Sequence, residues 1–209
     1  MVDQFLRRPK ERLLAPLARR LGARVRPTTL TLIAFGCGVA AAAALWRGAT
    51  AAGLSLWALN RIIDGLDGSV ARATATQSDW GGYLDILLDV VVYALVPLGL
   101  ALRQGTPAAL LALAALLASF YANAISWSYL AAVLEKRSAG AKISGELTSV
   151  TMPAGLIEGA ETVLFFCAFI VFSSHLVWLF GLMAALVGLT VAQRLVWAYR
   201  ILGPGSAGE

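Results

Sequence analysis

Long apolar stretches, separated by short polar breaks, make up most of the sequence after residue 26. A helix needs ~20 predominantly apolar residues to cross a bilayer, and several of these stretches reach that length. The breaks carry Gly, Thr, Gln, Pro or Ser, as turns do. The pattern predicts an all-α integral membrane protein with six spanning helices, at about residues 28–46, 53–72, 80–102, 107–134, 155–173 and 176–198.

The composition supports a bilayer as the surrounding solvent. Of the 209 residues, 59% are hydrophobic and 14% are charged, and the mean hydropathy is +0.75, which is too apolar for an ordinary soluble domain. Cys37 and Cys167 lack a metal-ligand spacing, and His175 is the only histidine. These counts argue against histidine-rich metal sites and Ser/His/Asp catalysis. We expect one membrane domain over residues 27–200 and a flexible tail over residues 201–209.

The net charge of +5 is concentrated before the first predicted span. Leucines recur at helical spacing among these cations, which predicts a basic amphipathic helix within residues 1–26 that lies on an anionic lipid surface. Nucleic-acid binding is the weaker interpretation, because the basic segment directly precedes a spanning helix. The cations are Arg7, Arg8, Lys10, Arg12, Arg19, Arg20, Arg24 and Arg26, against Asp3 and Glu11.

The charges between the spans predict the orientation of the chain. Basic residues favour the cytoplasmic side of a membrane, so the basic N-terminus is expected there, and six spans return the C-terminus to the same side. The predicted outer side keeps only Arg47 and Arg103. We therefore expect both termini in the cytoplasm of a bacterial inner or plasma membrane. The cations on the predicted inner side are Arg72, Lys136, Arg137, Lys142 and Arg200.

Four aspartates lie inside two neighbouring predicted spans. Asp64 and Asp67 are three residues apart near the end of the second span, and Asp85 and Asp89 are four apart near the start of the third, so each pair projects from one helix face. At ~1.5 Å rise per residue, Asp64 and Asp89 both lie roughly 12 to 15 Å from the connecting loop. The four carboxylates can therefore converge at one depth if the two helices are neighbours.

Carboxylates that close together in a membrane need a compensating cation. Mg²⁺ and Mn²⁺ prefer oxygen ligands, and two such ions would neutralise four carboxylates and leave positions for a phosphate-bearing substrate. Gly65, Gly68, Ala71 and Gly81 leave space beside the carboxylates, and Arg72 suits either a diphosphate or the negative end of its helix. A proton relay or an ion-transport site is the alternative for one such pair, but two pairs around one loop favour the metal site.

Written out, the stretch reads Asp64-x2-Asp67-Gly68-x2-Ala71-Arg72-x8-Gly81-x3-Asp85-x3-Asp89. This pattern resembles the complete signature of the class I CDP-alcohol phosphotransferases. The resemblance implies that Asp64, Asp67 and Asp85 hold divalent metal, and that Asp89 belongs to the metal site and is the general base. It also implies a homodimer that uses CDP-diacylglycerol and an alcohol acceptor. The resemblance places the CDP group near Thr28, Thr31, Gly68, Arg72 and Ser78.

The resemblance leaves the acceptor open. In the inositol-phosphate branch of that family, arginines stand where this chain has Gly159 and Thr162, and a lysine stands near Ala131. Because these phosphate-binding cations are missing, we expect an unphosphorylated alcohol, with glycerol 3-phosphate and inositol phosphate kept as alternatives. Glu158 and Glu161 suit either a polyol or amine acceptor, or the start of a helix. Transfer from a CDP-alcohol to diacylglycerol and carboxylate-based ion transport remain the alternative functions.

Overall fold

The computed structural model describes Ala18, residues 25–137 and residues 155–203, and these residues form helices joined by short non-helical connections, without a strand. The all-α prediction is therefore confirmed for the described part of the chain. A 3-10 turn at Ser173–His175 joins the last two helices. Within residues 25–137 and 155–203, the α-helices are α1 (Pro27–Trp46), α2 (Thr50–Ala73), α3 (Asp79–Gln104), α4 (Pro107–Lys136), α5 (Gly159–Val171) and α6 (Leu176–Leu202).

Local signals at the helix ends explain several of these boundaries. Pro27 stands in the first turn of α1, where its missing N–H costs nothing. The hydroxyl of Ser78 caps α3 by accepting a hydrogen bond from the backbone N–H of Gly81 at 3.1 Å. Gly105 ends α3 with a φ of 64°, a left-handed conformation that glycine adopts without strain.

In the part of the chain that the structure describes, four helical segments are long and apolar enough to cross a membrane: α1, α3, α4, and the 3-10 turn together with α6. Helix α2 has the length but contains four charged residues, and α5 has 13 residues, about 20 Å of helix against a hydrocarbon core of ~30 Å. The count of six spans therefore stays a prediction. The predicted span at 155–173 is too long, because the helix begins at Gly159 after a capping box formed by Glu158 and Glu161.

The predicted amphipathic helix lies outside the described residues, apart from Ala18, Val25 and Arg26. The same is true of residues 204–209 in the predicted tail and of Lys142 in the loop after α4. Helix α6 continues to Leu202, four residues beyond the predicted end of the last span. The division of the chain into a surface helix, a membrane domain and a tail stays a prediction.

Helix α1 packs against both α2 and α3, and α4 packs against α6. The approach of α1 to α3 depends on small residues. A Cβ added to Gly38 would lie 2.5 Å from a methyl group of Val92, and one added to Gly99 would lie 2.4 Å from the carbonyl oxygen of Ala42. Glycine at these two points lets the helix backbones come close. This packing places the end of α2 beside the start of α3.

A cluster of buried aromatic rings joins α5 to the middle of α2 and α3. The ring of Trp57 stacks on that of Phe166 with centroids 4.8 Å apart, and Tyr93 meets Phe166 edge-on at 5.3 Å. Phe169 continues the cluster towards Phe180 on α6. Trp57 lies one helical turn before Arg61, so the aromatic cluster is adjacent to the polar residues of α2.

Candidate metal centre

Three of the four predicted carboxylates converge between α2 and α3. Asp64, Asp67 and Asp85 each offer one carboxylate oxygen, and these oxygens all lie within 4.8 Å of one another. Asp67 is buried, and Asp64 and Asp85 are half-buried. The two helices thus bring together residues about 20 positions apart in sequence, as the helical spacing of each pair predicts.

The environment of Asp85 fits a cation. Its Oδ1 is buried and accepts no hydrogen bond from any residue that the structure describes, which is costly for a carboxylate unless a cation compensates. Asp64, Asp85 and Asp89 line a cavity of about 10 Å³, which is room for about one water molecule or a small ion. The donor set consists of carboxylate oxygens, the ligands that Mg²⁺ and Mn²⁺ prefer.

Helix α1 supplies a third wall through Thr31, which is buried. The Oγ1 of Thr31 lies 2.7 Å from Asp67 Oδ2 and 3.2 Å from the backbone carbonyl oxygen of Pro27. A hydroxyl has one proton to donate, and the shorter distance favours Asp67. Next to this contact, the side-chain amide of Asn60 donates to the carbonyl oxygen of Ala34 at 2.8 Å and ties α2 to α1.

Asp89 is not one of the three carboxylates within 4.8 Å of one another, but it lines the same cavity and pairs with Arg61. The guanidinium of Arg61 approaches both oxygens of Asp89, with Nη2 at 2.5 Å from Oδ1 and Nη1 at 3.2 Å from Oδ2. Nη1 also lies 3.5 Å from Asp64 Oδ2 and donates to the hydroxyl of Tyr93 at 3.0 Å. Sequence reasoning missed this pair, although an arginine three residues before Asp64 was a signal that the charges share one helix face.

The residues predicted to contact CDP lie near the C-terminal end of α2, the end that is predicted to face the cytoplasm. Arg72 is exposed near that end, and its Nη2 lies 3.5 Å from the hydroxyl of Ser69. Gly68 lies beside Arg72, since a Cβ added to Gly68 would be 3.3 Å from Arg72 Nη1. Thr28 is half-buried in the first turn of α1. The hydroxyls of Thr31 and Ser78 already serve Asp67 and the start of α3, so their nucleotide roles stay predictions.

The two glutamates at the start of α5, which could bind the acceptor, accept hydrogen bonds from nearby backbone N–H groups. Glu158 Oε1 accepts from the backbone N–H of Gly155 at 3.0 Å, and Glu161 Oε2 accepts from the N–H of Glu158 at 3.3 Å. Thr162 donates its hydroxyl to the carbonyl oxygen of Glu158 at 2.8 Å. These bonds favour the role of both glutamates in starting the helix. Gly159 is the first residue of α5, and Ala131 is buried in α4.

Arg194 is a buried arginine that the sequence reasoning also missed. Arg194 on α6 is 8% exposed and donates to the side chains of Asn123 at 2.8 Å and Ser126 at 2.5 Å on α4. An arginine within an apolar span was the available signal, because such residues face the interior of a helix bundle. The three side chains fasten α4 to α6.

Apolar helices of membrane-spanning length around a carboxylate cluster define the class of a membrane protein with a candidate metal centre. A family model described as CDP-alcohol phosphatidyltransferase matches residues 24–197. The chain therefore belongs to the CDP-alcohol phosphatidyltransferase family, and it is a transferase of that class. This membership confirms the resemblance that the aspartate motif indicates.

Curated relatives support the same assignment. The chain is 36% identical over 174 residues to "Inner membrane protein YnjF" of Escherichia coli strain K12, an alignment that covers 83% of this chain and 82% of that protein. It is 42% identical over 66 residues to "Bifunctional IPC transferase and DIPP synthase" of Archaeoglobus fulgidus, covering 32% of this chain and 13% of that protein. With its four apolar helices, the chain is an integral membrane protein.

Solved structures share the fold. Mycobacterium tuberculosis phosphatidylinositol phosphate synthase (PgsA1) with CDP-DAG bound matches with a TM-score of 0.71 and 22% identity, over 95% of this chain and 98% of that chain. The same synthase in complex with manganese and citrate matches with a TM-score of 0.69 and 23% identity, over 94% of this chain and 92% of that chain. At these identities the likeness shows the fold.

Proposed function

We propose that the chain transfers the phosphatidyl group of CDP-diacylglycerol to an alcohol hydroxyl and releases CMP. The observation that carries this proposal is the convergence of Asp64, Asp67 and Asp85 within 4.8 Å around a buried oxygen without a partner among the described residues. Such a site suits a reaction in which metal-bound phosphate oxygens develop charge. The CDP-DAG bound in one PgsA1 structure and the manganese in another support this donor and this type of metal.

The proposed cofactor is a pair of divalent cations, Mg²⁺ or Mn²⁺. Asp64, Asp67 and Asp85 would hold them, with Asp89 completing the site. When bound, the ions would supply positive charge to the diphosphate of the donor and to the departing CMP. Thr31 orients Asp67 through its hydroxyl, as partners of metal ligands commonly do.

In the proposed reaction, Asp89 accepts the proton of the acceptor hydroxyl. The oxygen of that hydroxyl forms a bond to the phosphorus that carries diacylglycerol, and the bond from this phosphorus to the CMP oxygen breaks. CMP keeps the electron pair of the broken bond. Both oxygens of Asp89 contact Arg61 in the structure, so one of them must turn to the acceptor before the proton moves.

The donor headgroup is proposed to lie against the ends of α1, α2 and α3. Gly68 leaves room for the headgroup beside α2, and Arg72 pairs with its phosphate oxygens. Thr28, Thr31 and Ser78 line the same region in this proposal. The half-buried position of Thr28 in the first turn of α1 and the exposed position of Arg72 agree with such a headgroup site.

The acceptor is proposed to be an unphosphorylated alcohol. No cation stands at Gly159, Thr162 or Ala131, and Glu158 and Glu161 bring negative charge to the same end of α5. A phosphomonoester acceptor would meet repulsion from these carboxylates unless another cation approaches. Glycerol 3-phosphate and inositol phosphate are the alternatives that the assay below distinguishes.

We further propose that the protein is a homodimer in a bacterial inner or plasma membrane, with its active site and both termini on the cytoplasmic side. Arg103 donates to the hydroxyl of Thr50 at 3.0 Å, so Arg47, which follows α1, and Arg103, in the last turn of α3, lie at one end of the bundle. Arg72 and Lys136 end helices that run towards the opposite end. The larger number of cations at that end supports a cytoplasmic position.

The test is CMP release by the purified full chain in lipid nanodiscs, supplied with CDP-diacylglycerol, Mn²⁺ or Mg²⁺, and one alcohol at a time. The panel contains inositol, glycerol and serine with their phosphorylated counterparts. We expect CMP and a new phospholipid with one unphosphorylated alcohol. Asp89→Asn is expected to abolish release while the chain stays folded. Full activity of Asp89→Asn would remove this residue as the base.

The alternative to a transferase is a carboxylate-based ion transporter, and family membership does not favour this alternative. The two functions separate in proteoliposomes. A transporter would move ions or protons without any nucleotide, whereas the proposed transferase leaves the ion gradient intact and consumes CDP-diacylglycerol. A CDP-alcohol consumed with diacylglycerol in place of CDP-diacylglycerol would reverse the proposed choice of donor.

A further inference from the structure

We propose that Arg61 is a tethered cation that competes with the second divalent ion for Asp89. This inference rests on the proposed function, since it concerns the occupancy of the same metal site. The first ion takes the site formed by Asp64, Asp67 and Asp85, whose carboxylate oxygens lie within 4.8 Å of one another. The second ion reaches Asp89 only when Arg61 leaves it.

The position of the guanidinium carries the argument. Arg61 Nη1 lies 3.2 Å from Asp89 Oδ2 and 3.5 Å from Asp64 Oδ2, while Nη2 approaches Asp89 Oδ1. Nη1 therefore lies between two carboxylates of the motif, where a bridging cation would neutralise both. An arginine fork that uses both oxygens of a carboxylate is the strong form of such a pair. One Asp89 oxygen must give up this contact to become a metal ligand.

Neighbouring residues hold Arg61 in this position. Its Nε donates to the side-chain oxygen of Asn60 at 2.7 Å, and Asn60 is in turn fixed to α1 through the carbonyl oxygen of Ala34. The guanidinium carbon lies 4.9 Å from the ring centroid of Trp57 and 5.1 Å from that of Tyr93. Aromatic faces stabilise a cation at these distances. The pair is thus preorganised before any ion arrives.

Counting charges explains why the two ions bind unequally. Three ionised carboxylates carry −3, so one divalent ion leaves the first site at −1. Asp89 and Arg61 together carry no net charge. A second ion must therefore break a hydrogen-bonded ion pair and stay near the released guanidinium, which repels it. The first ion meets a smaller cost, because it displaces at most the 3.5 Å contact between Arg61 and Asp64, which is longer than either contact between Arg61 and Asp89.

We expect this competition to weaken the second site by at least tenfold relative to a chain without the guanidinium, because a hydrogen bond between charged groups contributes that much or more. The negative charge of a nucleotide diphosphate would offset the repulsion. The second ion would then arrive with the donor.

The experiment is a Mn²⁺ titration of the nucleotide-free full chain in nanodiscs, with free Mn²⁺ read by electron paramagnetic resonance. The wild type is expected to bind one ion tightly and a second at least tenfold more weakly. Arg61→Gln should tighten the second site at least tenfold and change the first site by less, because the contact between Arg61 and Asp64 is longer than the contacts between Arg61 and Asp89. Arg61→Lys keeps the charge without the fork and should fall between them. Arg103→Gln removes a cation at the other end of α3 and serves as the matched control.

Asp89→Asn supplies the complementary arm, since it should eliminate the second site whether residue 61 is Arg or Gln. Two equal sites in the wild type, or a second site that is unchanged or weaker in Arg61→Gln, would overturn the proposal. If Arg61→Gln does not fold, Arg61→Lys decides in the same way, because an unchanged second site contradicts competition. The titration contains no CDP-diacylglycerol, so its result stands apart from failure of the transferase assay.

Discussion

The hydroxyl of Thr31 offers a sharp test of how the metal site is built. It donates to Asp67 Oδ2 at 2.7 Å from a different helix, and both residues are buried. Thr31→Val keeps the shape of the side chain and removes the donor. A hydrogen bond to a charged acceptor contributes about 1.5–3 kcal/mol, and each 1.4 kcal/mol is tenfold in affinity. We therefore expect the first Mn²⁺ to bind roughly 10- to 100-fold more weakly, the usual effect of losing a partner of a metal ligand.

The assay is a Mn²⁺ titration without nucleotide, which separates this role from the nucleotide contact that the sequence predicts for Thr31. Thr31→Ser restores the donor and should return the affinity to within a few-fold of the wild type. An unchanged Mn²⁺ affinity in Thr31→Val would refute the reasoning. A loss confined to the affinity for CDP-diacylglycerol would assign Thr31 to the nucleotide instead.

Two further predictions concern helix packing. Gly99→Leu should lower the free energy of unfolding by at least about 1–3 kcal/mol, because its Cβ would meet the carbonyl oxygen of Ala42; Gly181→Leu, with open space around it, is the control in the same thermal unfolding assay. Arg194→Leu should cost about 1–3 kcal/mol, because Asn123 and Ser126 lose their donor. The double variant Arg194→Leu/Asn123→Ala should lose less unfolding free energy than the sum of the two single variants. Full additivity would contradict the contact between Arg194 and Asn123.

The helices could be predicted from the apolar runs, because membrane-length segments with turn residues between them leave few alternatives. The predicted starts of the first, third and fourth helices lie within one residue of Pro27, Asp79 and Pro107. The predicted start of the fifth span, at residue 155, was wrong, since Glu158 and Glu161 form a capping box inside that span and the helix begins at Gly159. Whether α2 and α5 complete six crossings depends on the surrounding bundle and lipid, which the apolar pattern does not contain.

The carboxylate cluster was also predictable in part. Helical spacing puts Asp64 beside Asp67, and the short connection makes α2 and α3 neighbours, so the convergence with Asp85 follows. The pairing of Asp89 with Arg61 did not follow, because it joins residues 28 positions apart and depends on side-chain orientations. Sequence spacing predicts which helix faces contact each other. It does not decide whether a cation of the protein or a metal ion takes a given carboxylate.

The most direct test of the central claim compares Asp85→Asn with Asp79→Asn in metal-dependent CMP release from CDP-diacylglycerol. Both aspartates lie on α3, but Asp79 is exposed at its first position and outside the carboxylate cluster. We predict that Asp85→Asn lowers the rate at least 100-fold and weakens Mn²⁺ binding, whereas Asp79→Asn stays within about threefold of the wild type. Wild-type rates for both variants, or release that persists after chelation of divalent ions, would contradict the account.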